Sequence, residues 1–302
     1  MPIISRNPAG GFRAAGGPPG KRRRQAADDI FAAVPAIWLF AFFIAPLAFT
    51  VVYSFGRSTF GDVELGFTLD NYGKALGGFY LAAFLRTIRF ALTACALSLL
   101  VAFPTAYFIA RHAGRFRPAA LLIVLIPYFT SFLIRVMSWQ ILLARGGFVE
   151  VILNGLHLHS GPLDVLDTQT AVFIGMVYAY LPIAIVPLYI VLERIPATLI
   201  EASRDLGASR WQTFRHVVLP MSRPGLATAV LLTGVPMIGE LAIPTLLGGG
   251  RGVLMGQAIS TQFVESQDYA LGSAMAVLVL IAVGVMVALL ARLTRGFAEV
   301  SA

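Results

Sequence analysis

The sequence predicts an all-α membrane protein with six transmembrane helices and both termini in the cytoplasm. The 302 residues are 58% hydrophobic and only 13% charged, which lies outside the usual composition of soluble domains. Apolar runs of about 20 residues, the length that crosses a bilayer as a helix, recur along the chain. The predicted spans are residues 31–55, 85–110, 118–143, 169–192, 224–245 and 271–292.

The distribution of basic residues sets the predicted orientation. Most of the 23 Lys and Arg residues lie in the N-terminal tail, after the second span, around Glu201 and at the C-terminus. The positive-inside rule places these segments in the cytoplasm. The net charge of +8 therefore follows from membrane topology, and we expect no nucleic-acid partner.

Composition divides the chain into four segments. Residues 1–30 are rich in Gly, Pro and Arg and are predicted to be a disordered basic cytoplasmic tail. Residues 31–84 form the first transmembrane helix and a periplasmic loop. Residues 85–292 form the main transmembrane domain, with a cytoplasmic loop at 193–223, and residues 293–302 form a second cytoplasmic tail.

His157 and His159 form a His-x-His pair on a predicted outer loop, beside Asp164 and Asp167. A metal site needs further ligands at suitable spacings, and no third ligand meets that need here. The sequence therefore predicts a solvated loop and no metal site.

The polar stretch between the fourth and fifth spans predicts two short helices. Glu201 to Leu206 is the first, and Gly207 follows it at the position where a helix ends in a left-handed residue. The second is predicted from Ala208 to His216, and Pro220 is expected to end it because proline has no N–H and disfavours helix before it. Its apolar residues recur at helical spacing, at Trp211, Phe214 and Val218. Two such helices form a rigid surface that faces water and suits a partner protein.

This stretch resembles the EAA loop of binding-protein-dependent ABC importer permeases. The matching positions are Glu201, Ala202, Ser203, Gly207, Val217, Leu219 and Pro220, and Ser203 and Val217 replace the usual Ala and Ile. The resemblance implies that the loop, with Asp205, is the coupling helix that docks on an ATPase subunit. The alternative is an ordinary cytoplasmic loop with accidental spacing.

Further blocks resemble the polyamine branch of these permeases. They are residues 103–111, 126–139, 205–209, 239–249, 262–263 and 271–274. The resemblance implies a type I ABC importer transmembrane domain, a multi-pass permease of the bacterial inner membrane that transports spermidine- or putrescine-like cations. The implied partners are a second homologous permease subunit, an ABC ATPase dimer and a periplasmic solute-binding protein. The alternatives are an importer of another small solute, such as an opine, amino acid or sugar derivative, or an energy-independent channel.

Glu240 is the most informative residue within the predicted spans. It lies between Pro236 and Pro244, which can break the helix around it, and an acid inside a membrane is by default a functional-site hypothesis. We expect it to line the substrate pathway and hold an ammonium group. Aromatic candidates for cation–π contacts in that pathway are Tyr128, Trp139 and Tyr180.

Arg135 also lies within a predicted span, where a lone charge is costly. It is a further candidate for the pathway. The alternative is a structural ion pair, either with Glu240 or with a residue of the partner subunit.

The energy source must lie in another chain. The phosphate-binding pattern G-x-x-x-x-G-K-[ST] is absent, and the sequence contains only two lysines, Lys21 and Lys74. We therefore expect a non-catalytic subunit without a cofactor of its own, with ATP and Mg²⁺ bound by the partner ATPase.

Overall fold

The computed structural model describes Pro35 and residues 37–59, 62–158, 161–250 and 252–298. The tail predicted at residues 1–30 and His159 lie outside these described residues. The chain divides into two compact units, Met1–Phe49 and Thr50–Ala302. The described residues 37–49 of the first unit are helical and include a π-helix, Phe40–Ile44.

Helices form most of the described structure, with one two-stranded antiparallel sheet. The strands are β1 (Arg57–Thr59) and β2 (Asp62–Glu64). Short 3-10 helices lie at Gly114–Phe116 and Ile126–Phe129, and a second π-helix lies at Phe214–Val218. The α-helices are α1 (Ala45–Ser54), α2 (Asp70–Ala75), α3 (Gly78–Arg111), α4 (Arg117–Leu125), α5 (Phe132–Leu143), α6 (Phe148–Gly155), α7 (Gln169–Arg194), α8 (Ala197–Asp205), α9 (Arg210–Thr213), α10 (Leu219–Met221), α11 (Arg223–Ile238), α12 (Ala242–Leu247), α13 (Met255–Val264) and α14 (Tyr269–Ala298).

Four helical segments within the described ranges are long and apolar enough to cross a membrane. They are Ile37–Ser54, α3, α7 and the Tyr269–Arg292 part of α14. Two bent helix pairs, Gly114–Phe129 with α5 and Arg210–Met221 with α11, raise the number to six if each pair forms one span. The helices predicted at 85–110, 169–192 and 271–292 are confirmed, and the number of spans stays a prediction.

The span predicted at 118–143 is not one continuous helix. The chain bends by 91° between Phe129 and Phe132. Pro127 cannot donate a backbone hydrogen bond, and the backbone at Thr130 and Ser131 is extended, with ψ of 156° and 132°. The Thr130 hydroxyl and the Thr130 N–H both donate to the Pro127 carbonyl, at 2.7 and 3.3 Å, so this carbonyl beside the break has partners.

The core of the second unit is formed by α3, α7 and α11. Alanines of α3 are fully buried against these neighbours, among them Ala94, Ala102 and Ala106. A side chain at Gly225 of α11 would come within 3.0 Å of the Pro187 carbonyl oxygen in α7. Small residues at these contacts let the helix backbones approach closely, which is how helices pack in a membrane.

The loop predicted to follow the first span on the periplasmic side has more structure than its sequence predicts. It contains the β1–β2 hairpin and α2, and α3 begins at Gly78, seven residues before the predicted span. Asn71 of α2 is buried and donates to the carbonyls of Ser54 and Gly56 at 3.0 and 2.8 Å. Both acceptors lie at the end of α1, where backbone carbonyls lack helical partners.

Candidate functional site

The loop at residues 193–223, which the sequence predicts to be a coupling loop and which we call the coupling loop below, has the predicted shape in its first half. Helix α8 includes Glu201, Ala202, Ser203 and Asp205, and it begins four residues earlier than predicted. Gly207 follows it with φ of +83°, as expected for a left-handed residue. The N–H groups of Gly207 and Ala208 donate to the carbonyls of Arg204 and Ser203 at 2.8 and 3.1 Å, which is a Schellman helix end.

The second half begins with a capping box. The Gln212 N–H donates to the Ser209 hydroxyl at 3.2 Å, and the Ser209 N–H donates to the Gln212 side chain at 2.7 Å. These two bonds start the helix at Arg210, two residues later than predicted.

The prediction that Pro220 ends this helix is wrong. The helix continues through the π-helix Phe214–Val218 and α10, which contains Pro220, and the chain bends by 63° only before α11. In the π-helix the Leu219 N–H donates to the Phe214 carbonyl, five residues back. This wider turn accommodates the proline ring, which would clash with a carbonyl in a regular α-helix.

The predicted apolar stripe of the second helix is divided between core and surface. Val218 is buried, whereas the side chain of Trp211 is 66% exposed and stacks on Phe214 with ring centroids 5.4 Å apart. Leu206, between the two helices, is 89% exposed. The hydroxyls of Ser203 and Thr213 lie 3.1 Å apart and join the two helices. The loop is therefore rigid, and it presents two large apolar side chains outward, as a docking surface does.

Arg111 connects the coupling loop to α3, a contact that the sequence analysis missed. Its guanidinium donates to the carbonyls of Leu192 and Ile195 at 2.9 and 2.6 Å. These carbonyls lie at the C-terminal end of α7, where helical partners run out. The sequence signal for this contact is a basic residue at the end of a span, which by itself indicates only topology.

Four of the five predicted pathway residues surround one cavity of about 600 Å³. It lies between the break before α5, the middle of α7 and the end of α11, and we call it the Glu240 cavity. Its lining residues are Tyr128, Phe129, Phe132, Arg135, Ala179, Tyr180, Ile183, Pro236 and Glu240. Trp139 is not among them and packs edge-on against Tyr178, with ring centroids 5.3 Å apart. Phe129 and Phe132 line the cavity without having been predicted.

The carboxylate of Glu240 is held in one position. It lies in the break between α11 and α12, which confirms the expected interruption between Pro236 and Pro244. One oxygen accepts from the backbone N–H groups of Ala242 and Ile243 at 2.9 and 3.2 Å, and the other accepts from the Tyr180 hydroxyl at 2.5 Å. Only 8% of the residue is exposed, so these three donors replace most of its contact with solvent.

Two glycines allow the packing that brings Glu240 to Tyr180. A side chain at Gly175 of α7 would lie 2.5 Å from Leu247 and 3.0 Å from Ile243, both in α12. A side chain at Gly256 of α13 would lie 2.7 Å from the backbone oxygen of Glu240. Because neither position carries a Cβ, the break between α11 and α12 can pack closely against α7 and α13.

Arg135 is buried without an acidic partner. It is 8% exposed, and its guanidinium carbon lies 5.1 Å from the centre of the Tyr128 ring and 5.9 Å from that of Phe132. Its Nε atom is buried and has no hydrogen-bond partner among the described residues. No ion pair joins it to Glu240 within that part of the chain, although both line the Glu240 cavity.

Comparison with known proteins identifies the architecture around this site. Residues 29–298 match the family described as "Binding-protein-dependent transport system inner membrane component". The chain belongs to this family. It is accordingly a non-catalytic, inner-membrane component of a transport system. The matched region begins at residue 29, so it includes the stretch from Pro35 to Phe40.

Individual relatives agree with this assignment. The chain is 34% identical over 259 residues to the spermidine/putrescine transport system permease protein PotB of Escherichia coli K12, which covers 85% of this chain and 94% of that protein. It is 31% identical over 251 residues to PotB of Haemophilus influenzae, with 83% and 88% covered. A bacterial alginate ABC transporter, solved in complex with an alginate pentasaccharide-bound periplasmic protein, shares the fold with a TM-score of 0.69 at 18% identity, and the match covers 92% of this chain and 97% of that one.

Proposed function

We propose that this chain is a permease subunit of an ATP-driven importer for polyamines such as spermidine and putrescine. The observation that supports this best is the similarity to PotB, at 34% identity over 85% of the chain. The chain covers 94% of that relative, so the similarity extends over most of both proteins.

The chemistry of the Glu240 cavity suits a cation with ammonium groups. A carboxylate has about four lone-pair sites, and three donors already occupy the two oxygens of Glu240, so one site is left for a ligand. An ammonium group there gains a charge-assisted hydrogen bond. The rings of Tyr128, Phe129, Phe132 and Tyr180 line the same cavity, and aromatic faces attract cations.

The coupling loop suits a cytoplasmic ATPase as its partner. Leu206 and Trp211 project from two helices that the Ser203–Thr213 contact joins, and Arg111 links the loop to α3. In the proposed assembly an ATPase dimer binds ATP and Mg²⁺ and moves the loop. A second permease subunit completes the pathway, and a periplasmic solute-binding protein delivers the substrate. Closure of the ATPases then switches the pathway between inward- and outward-facing states.

Transport by the reconstituted importer tests this proposal. The chain is co-purified with its ATPase and its second permease, placed in proteoliposomes and supplied with its binding protein and labelled spermidine or putrescine. We expect uptake that requires ATP and that unlabelled polyamines, but not amino acids or sugars, compete. Uptake of another solute would refute the polyamine assignment, and flux without ATP would support a channel instead.

A further inference from the structure

Arg135 has hydrogen-bonding capacity that the described part of this chain leaves unused. Of its five N–H donors, the one on Nε is buried without a partner, and no ion pair or side-chain hydrogen bond joins the guanidinium to another described residue. Tyr128 and Phe132 approach the guanidinium as cation–π partners, but a ring face does not replace an oxygen acceptor in the guanidinium plane. Buried charges in proteins are paired, and those within membranes almost always are.

The described part of the chain does not offer an acid for this role. Arg135 borders the Glu240 cavity and a second cavity of about 190 Å³, and Glu240 is the one acidic residue in either lining. The carboxylate of Glu240 is already held by Tyr180, Ala242 and Ile243. Two ion pairs within the described residues, Arg117 with Glu193 and Arg145 with Asp164, do not involve Arg135.

A lipid phosphate is not a suitable partner either. Tyr180, on the wall of the same cavity, is eleven residues from the start of α7 and fourteen from its end. At a rise of 1.5 Å per residue it lies roughly 16 Å from one end of the helix and 21 Å from the other. The cavity is therefore near the middle of the span, far from the headgroups.

We propose that Arg135 binds a carboxylate that this chain does not supply, which enters the Glu240 cavity from the second permease subunit or from the transported solute. A carboxylate is the favoured acceptor because it neutralises the charge and matches the planar guanidinium with two parallel hydrogen bonds. A neutral acceptor would leave the charge buried.

The second permease subunit is the favoured source, and this preference rests on the proposed function. Polyamines have no carboxylate, so a polyamine cannot satisfy Arg135. With Arg135 alone, the positive charge of its guanidinium offsets the negative charge of Glu240, so that the charged residues of the lining sum to zero and only the local contacts of Glu240 and the aromatic rings favour a cation. A carboxylate from the partner makes the cavity negative again, which favours a polycation. Arg135 is then a residue that positions the partner and sets the charge of the pathway.

Substitutions in the assembled importer test this inference. Arg135→Gln removes the charge and keeps a similar length, and Arg145→Gln is the matched control because its ion pair with Asp164 is exposed. In parallel, each Asp or Glu in the spans of the second permease subunit is changed to Asn or Gln. Thermal stability of the purified complex and polyamine uptake are measured for single and double variants.

A partner carboxylate predicts that Arg135→Gln lowers the melting temperature of the complex and slows uptake by roughly tenfold or more, whereas Arg145→Gln does neither. One acid substitution in the partner should lower the melting temperature and uptake by a similar amount. Combining it with Arg135→Gln should cause no further loss, because the two substitutions remove the same interaction. A solute carboxylate predicts instead an intact complex that loses uptake of a carboxylate-bearing solute. Uptake by the unmodified importer separates failure of the proposed function from failure of the inference about Arg135. If the unmodified importer takes up no polyamine, the proposed function is refuted and the inference about Arg135 is not.

Two outcomes overturn the inference. The first is Arg135→Gln with unchanged stability and unchanged uptake of every solute that the importer carries. The second is non-additive coupling between Arg135→Gln and Glu240→Gln with no coupling to the partner, because Glu240 would then be the missing acid.

Discussion

The coupling loop and the Glu240 cavity are both interruptions of helical structure, but they are built from contacts of very different range. In the loop, Gly207 bonds to Arg204, Ala208 to Ser203 and Gln212 to Ser209, all within five residues. In the cavity, Glu240 bonds to Tyr180, sixty residues away. The turn between the two loop helices is therefore shaped by local hydrogen bonds, whereas the cavity depends on how α7 and α12 pack.

The two regions also differ in what they expose. The loop presents Leu206 and Trp211 to solvent, and the cavity buries Glu240 and Arg135 so that each is 8% exposed. Substitutions on the loop surface should therefore change binding to a partner and leave the fold intact. Substitutions at the cavity should change packing and transport.

Gly175→Leu should have the largest effect on the cavity. A side chain at this position would lie 2.5 Å from the side chain of Leu247 and 3.0 Å from that of Ile243, and both are buried, so we expect α12 to shift and the contact between Glu240 and Tyr180 to be weakened. We expect loss of uptake and a fall of about 1–3 kcal/mol in the free energy of unfolding, as for an overpacked core. Gly284→Leu in α14 is the control, since no atom lies within 4 Å of its added Cβ. Normal uptake by Gly175→Leu would show that the Glu240–Tyr180 contact is dispensable.

Gly207→Val tests the loop in the same way. Valine must adopt the left-handed conformation that φ of +83° requires, at a cost of about 1–2 kcal/mol. We expect uptake and substrate-stimulated ATP hydrolysis to fail while membrane insertion persists. Gly207→Asn should retain more activity because asparagine tolerates this conformation. Assembly and transport at the normal rate by Gly207→Val would contradict the coupling role.

Trp211→Ala should weaken the ATPase contact without altering the fold. The side chain is 66% exposed in this chain, and an exposed aromatic at the centre of an interface typically contributes about 2 kcal/mol or more. Affinity for the ATPase, measured with purified subunits, should fall roughly tenfold or more. Phe148→Ala, an exposed aromatic of α6, is the control. Equal affinities for all three forms would place the docking surface elsewhere.

Ser209→Ala should have the smallest effect. It removes the acceptor for the Gln212 N–H and weakens the start of the second loop helix by about 1 kcal/mol. Amide hydrogen exchange across Arg210–Val218 should accelerate, with only a modest loss of uptake. Ser209→Asp should restore slow exchange because aspartate is an equally good cap. Exchange that is unchanged in Ser209→Ala would mean that the π-helix alone holds this segment.

The sequence predicts the coupling loop better than the cavity because more of the contacts that shape the loop are local. Gly207 ends a helix wherever it occurs after one, and its left-handed conformation follows from local chemistry. The sequence did not predict the π-helix before Pro220, whose last residue, Val218, is buried in the core. A local rule for proline therefore gave the wrong helix end.

Within the cavity the sequence identifies charged and aromatic residues but not their partners. The prolines flanking Glu240 correctly predict a break, yet nothing in the sequence indicates that Tyr180 and the Ala242 and Ile243 amides would hold its carboxylate. Trp139 was a reasonable candidate by residue type and lies outside the lining. Side-chain direction at a 91° helix break is a tertiary property, which the residue spacing does not specify.

Polyamine uptake by the Glu240→Gln variant tests the proposed pathway most directly. Glutamine keeps the shape and can still accept from the Ala242 and Ile243 amides, but it removes the charge that would hold an ammonium group. In proteoliposomes containing the complete importer, we expect polyamine uptake to fall roughly tenfold or more while assembly and ATP hydrolysis persist. Uptake at the unmodified rate in a normally assembled complex would contradict the proposed role of Glu240 in the pathway.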